Sequence, residues 1–123
     1  MATVKELQGL VDRVKSGMMR TEEVRDLLHH ASPLIRANAL EALVAPAKRD
    51  GELVDELAAA ASDPANKVHL MGTISVAHLA VGCLLRVGTA EARQTAQALW
   101  STWPERDRTD LTWYLESEGL QVG

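Results

Sequence analysis

The residues of this chain that could do chemistry are four histidines, one cysteine and a late group of carboxylates. Zinc needs three or four converging ligands. His29 and His30 are adjacent, so on a helix they point about 100° apart and cannot share an ion. Neither His69 nor His78 has a Cys, His or carboxylate three or four residues further on. Among Glu105, Asp107, Asp110, Glu116 and Glu118, the pair Asp107 and Asp110 shares a helix face. The residues between them are polar, so nothing there raises a carboxyl pKa for acid–base work. Near a helix start, such acids simply meet the helix dipole favourably. Cys83 cannot form an internal disulfide and lies in an apolar run, where a thiol acts as a small hydrophobe. No glycine-rich phosphate loop, Gly-x-Ser-x-Gly elbow or Cys–His nucleophile pattern occurs. The expectation is a protein that is not an enzyme, with no catalytic residue, no metal and no cofactor. The histidines are expected at turns or partly buried with a backbone partner. His78 falls in the most apolar stretch, and if buried there it would have a depressed pKa and could sense pH.

The aromatics are distributed unevenly. No Phe, Trp or Tyr precedes Trp100, and Trp103, Trp113 and Tyr114 complete the set. Trp100 and Trp103 fall on an apolar helix face and are expected to close the end of the molecule. Within Trp113-Tyr114-Leu115 one side chain must face outward, and an exposed tryptophan is a candidate anchor for a partner.

The elements that position these residues read as helices. The apolar share of 46% is dominated by Ala, Leu and Val, and Phe is absent; Ala and Leu favour helix over strand. Val4, Leu7, Val11, Val14 and Met18 form one stripe, expected to lie on the following helix. Thr21 reads as an N-cap, with Glu23 behind it. Ser32-Pro33 pairs a cap with a proline at the first helical position, and that helix should end before Pro46. A helix is expected over residues 51–62. Asp63-Pro64 then starts one over residues 65–87, with Gly72 and Gly82 allowing close helix approach and Gly88 as its stop. That helix is apolar on nearly every side, so it should lie in the middle. Its charge-free run, Leu70 to Leu85, falls short of the ~20 residues that span a bilayer. Thr89 caps the next helix, with Ala92, Ala96, Leu99, Trp100 and Trp103 on one face. Pro104 opens the last, which carries Leu111, Tyr114 and Leu115 and stops at Gly119. No strand pattern is expected.

Two segments repeat. Leu27 through Leu43 passes through Ser32-Pro33, Ile35 and Arg36 into an Ala/Leu-rich helix; a second copy runs from Leu57 through Asp63-Pro64, Lys67 and Val68. The two prolines lie 64 − 33 = 31 residues apart. A third copy, with Pro104, Arg108 and Leu111, keeps the spacing only approximately. This pattern resembles the HEAT-repeat (armadillo-like) family, most closely in the first copy, with Ser32 where aspartate is usual. The resemblance implies an all-α fold: a short right-handed α-solenoid of about three stacked hairpins and about seven helices. Residues 1–20 would form a capping helix, 21–118 the repeat domain and 119–123 a tail of the same single domain. It also implies that Ile35 and Val68 plug the interior. Arg36 and Lys67 would form an inter-repeat ladder, with Asp63 as acceptor.

Copies of this kind bury their apolar stripes only against one another. The function expected by analogy from this architecture is a non-catalytic interaction module: an adaptor, scaffold or regulatory subunit binding another protein. Its candidate binding residues are Arg36, Asn38 and Glu41 on the exposed side of the second helices, and Trp113 at the end. The alternative is self-association as a homodimer, through the N-terminal stripe or the aromatic end. A lyase-like helper would need a deep pocket, with His78 the place to look for it. The net charge of −4 argues against nucleic acid and anionic membrane as partners. The charged N-terminus lacks an apolar leader segment, so cytoplasmic residence is expected.

Overall fold

A computed structural model describes residues 3–121. Helix α1 (Val4–Lys15) starts where Thr3 Oγ1 accepts the Glu6 N–H at 3.1 Å. Val11 and Val14 are buried, whereas Val4 and Met18, the two ends of the stripe, are each 86% exposed. The stripe therefore seats α1 through its middle only. It packs on α3 (Pro33–Ala42), not on the next helix, α2 (Thr21–Leu27).

Arg20, not Thr21, occupies the N-cap of α2, and Glu23 reaches back to its N–H. Ser32 and Pro33 take the expected cap and first positions of α3, although the Ser32 hydroxyl makes no capping bond. Helix α3 ends at Ala42, before Pro46 as expected, but the chain turns helical again across the proline. It forms one further turn, α4 (Val44–Ala47), which tolerates proline because the first helical N–H groups have no intrahelical acceptor. Asp50 Oδ1 accepts the Glu52 N–H at 2.9 Å and opens α5 (Gly51–Ser62).

The expected helix over residues 65–87 is not continuous. Asp63 caps a single 3₁₀ turn, Pro64–Lys67. Two very short antiparallel strands follow, β1 (His69–Met71) and β2 (Ile74–Ser75), joined through Gly72 at φ +56°. Only then does α6 (Val76–Val87) begin. The left-handed conformation suits glycine, and the β-branched Val68, Thr73 and Ile74 favour extended backbone. Gly72 is thus a turn residue with open space around it, not a point of helix contact. Val68 is 54% exposed and plugs nothing.

Helix α6 is the centre of the fold. Every residue of it except Arg86 is buried, and it touches α3, α4, α5, α7 and α8. Gly88, at φ +75°, ends it. Helix α7 (Ala90–Thr102) begins with Thr89 Oγ1 accepting the Ala92 N–H and buries Ala92 and Ala96 fully. Helix α8 (Glu105–Ser117) follows Pro104 and buries Leu111, Tyr114 and Leu115. Gly82 meets it: a Cβ there would stand 3.1 Å from Tyr114 Cε2. The described residues are thus mainly helical, with eight α-helices where about seven are expected, plus the small strand pair. No described helix is long and apolar enough to cross a membrane.

Candidate interaction surface

Arg36 is not on an exposed face. Only 8% of it is accessible, because its guanidinium ties successive segments together. Nε donates to Asn66 Oδ1 at 2.8 Å, Nη1 to the His30 and Ala31 carbonyls at 2.7 and 3.0 Å, and Nη2 to the Ala65 carbonyl at 3.2 Å. Asn66 in turn donates to the Ala60 carbonyl at 3.0 Å. The acceptor side chain is the Asn66 amide, not the Asp63 carboxylate, which is occupied in capping; Lys67 is exposed. A second link, which no residue pattern suggested, joins Arg25 of α2 to Glu56 of α5 at 2.6 Å. Arg36 therefore leaves the set of candidate binding residues.

Asn38 is half-buried, its Nδ2 donating to the Leu34 carbonyl of its own helix at 2.8 Å. Glu41 is exposed. Both lie on α3, and no α3 residue lines the groove that reaches Trp113.

His78 is buried, at 5% exposure. Its Nδ1 accepts the Ser75 N–H at 3.0 Å, and the Ser75 hydroxyl lies 2.7 Å from the same nitrogen. With Nδ1 used as an acceptor, the neutral ring carries its proton on Nε2. Nε2 is closed to solvent and has no hydrogen-bond partner among the described residues. Trp103 stands edge-to-face with the ring at 5.4 Å between centroids. Burial holds the imidazole below the ordinary histidine range, against the pull of the Asp110 and Asp107 carboxylates; His69 adds to the depression. The adjacent cavity, lined by Lys67, His69, Ser75, Trp103 and Asp107 among others, is about 80 Å³. Ligand sites ordinarily run to several hundred. Cys83 is fully buried, and burial pushes its thiol up to about 12. Among the described residues no three His, Cys, Asp or Glu side chains form a group that could hold a metal ion.

The surface over α7 and α8 is open and sets tryptophan and leucine side chains among polar and charged ones. Trp100 is half-buried between the helices, with its Nε1–H donated to Thr112 Oγ1 at 3.3 Å and the Arg108 guanidinium 5.2 Å from its ring centroid. On one side lies a groove of about 390 Å³ that includes Gln97, Leu115 and Leu120. On the other is a shallower groove of about 540 Å³, bounded by Glu105, Arg108 and Glu116. Trp113 rises from that second groove and is 63% exposed. Of the expected outward-facing trio it is the exposed member, while Tyr114 and Leu115 are buried. Trp103 is buried. Trp100 is half-buried, and its ring lines both grooves.

Comparison with protein-family models, with curated proteins and with solved structures finds no match for this chain.

Proposed function

We propose that this chain is a non-catalytic interaction module of HEAT-like stacked hairpins, working in the cytoplasm and docking another protein chain on its α7–α8 face. The observation that carries the reading is Trp113: a large indole, 63% exposed, beside a half-buried tryptophan and two grooves. Interface anchors are enriched in Trp and Arg, and this face supplies Trp100, Trp113 and Arg108 together. Glu105, Arg108 and Glu116 make no ion pair with another described residue, which leaves the rim polar and free to select a partner. In support of the stacked arrangement, the Arg36–Asn66 and Arg25–Glu56 links join segments 30 and 31 residues apart, close to the spacing of the two prolines.

Affinity capture with Trp113→Ala, compared with Glu41→Ala on α3, tests the reading. Partner recovery should fall about tenfold or more for the first, as for a hot-spot truncation, and stay level for the second. Equal recovery for both variants would remove the α7–α8 face from the account.

A further inference from the structure

The docking face leaves its occupant open, and the charges of α8 point to one. Glu105, Arg108, Thr109, Thr112, Trp113 and Glu116 line one groove. Their steps of three and four residues keep them on one side of the helix. Along this stripe Arg108 stands four residues before Thr112 and Glu116 four after it, opposite in charge and each about 6 Å along the axis. Neither is ion-paired to another described residue. A helix charged in this way is complementary to itself when turned end for end.

Resting on the reading of this surface as a docking face, we infer that its occupant is a second copy of the chain, with α8 paired antiparallel to α8 about a two-fold axis at Thr112. Such an interface is isologous. Each copy's Arg108 lies level with the other's Glu116, giving two equivalent ion pairs. Each Trp113 lies against the Thr109–Thr112 stretch of the other helix. The neighbouring register, one turn away, would set Glu105 level with Glu116, and like charges facing across an interface are penalised. Charge thus selects the register as well as the partner. The formal charge of −4 on each copy opposes association generally, so the dimer is expected to be concentration-dependent.

Light scattering and sedimentation on the full chain test this. The wild type should pass from 13.4 kDa toward twice that mass as concentration rises. Arg108→Glu and Glu116→Arg, each alone, place like charges opposite one another in both pairs and should weaken association roughly tenfold or more. An equimolar mixture of the two variants should restore the dimer, because one copy then carries acids at both 108 and 116 and the other carries bases at both. Circular dichroism checks that both variants are folded; if either is not, Arg108→Gln and Glu116→Gln replace them, each expected to weaken the dimer. A wild type that stays monomeric at millimolar concentration overturns the inference. So does a dimer insensitive to these variants, or a pair of monomeric charge reversals that fail to associate when mixed. Capture of a different protein that depends on Trp113, with the chain itself monomeric, would overturn the second copy as occupant while leaving the docking face in place.

Discussion

Arg25 grips the Glu56 carboxylate through Nε and Nη2 at 2.6–3.1 Å, and 31 residues separate the two, as they do Pro33 and Pro64. The pair thus spans the same interval as the two prolines, from positions just ahead of the two similar segments. Both side chains are about one-third exposed, so the link is screened and contributes little to stability. Arg36 works in the same direction from the interior, with its bonds shielded from water.

This difference in burial predicts a ranking. Arg36→Ala strands the Asn66 amide oxygen and three carbonyls and should cost about 2–3 kcal/mol, the scale of buried charge-assisted bonds. Arg36→Lys should recover only part of this, since one ammonium cannot reach all four acceptors. Arg25→Ala should cost clearly less than Arg36→Ala, with an effect that shrinks further in high salt. Urea denaturation of the three variants checks the order.

Glycine substitutions should change sign with location. Gly9 lies in α1, and a methyl group added there would have nothing within 4 Å, so Gly9→Ala should stabilise by roughly 1 kcal/mol through helix propensity. Gly82→Ala gains the same propensity but drives a methyl to 3.1 Å from the Tyr114 ring, an overpacking cost of about 1–3 kcal/mol. A net loss is expected on thermal or urea unfolding.

His78 should make stability depend on pH. Its folded pKa is depressed, so its contribution is complete above the unfolded value near 6.5 and is lost as pH falls toward the folded value. Protonating Nδ1 would also break the bond it accepts from Ser75. Across that window a single proton changes stability by at most about 1.4 kcal/mol per pH unit. Urea midpoints at pH 7 and pH 5 should diverge more for the wild type than for His78→Gln.

Cys83, fully buried and with its thiol pushed up to about 12, should resist thiol reagents in the folded protein at pH 8. It should react only as the chain unfolds, with a labelling rate that rises with urea.

The sequence made the helical starts legible where a side chain and a backbone donor lie close together. Thr89 caps its helix as expected, whereas Asp63-Pro64 opens only a single 3₁₀ turn and the cap of α2 is Arg20 rather than Thr21. Thr3 and Asp50 also cap helices, though neither is among the expected caps. Burial of α6 also followed from its lack of polar sides. The strand pair before it was hidden, because a charge-free run looks alike as helix or strand. Its real start, Ser75-x-x-His78, uses histidine where a capping box ordinarily has Glu or Gln. Arg36 does link successive segments, as the resemblance implies, and only its placing on an exposed binding face fails. Its acceptors are the Asn66 amide and main-chain carbonyls, which no residue pattern advertises. The outward face of the last helix was legible only as a choice among Trp113, Tyr114 and Leu115. Packing of Tyr114 against Gly82 decided it.

A photoactivatable phenylalanine placed at position 109, exposed beside Trp113 in the same groove, with position 41 on α3 as the comparison, tests the docking face without assuming its occupant and leaves Trp113 in place. Adducts to a protein chain, whether a second copy or another species, are predicted from position 109 and not from position 41. Equal yields at both positions, or none at 109, would contradict the account.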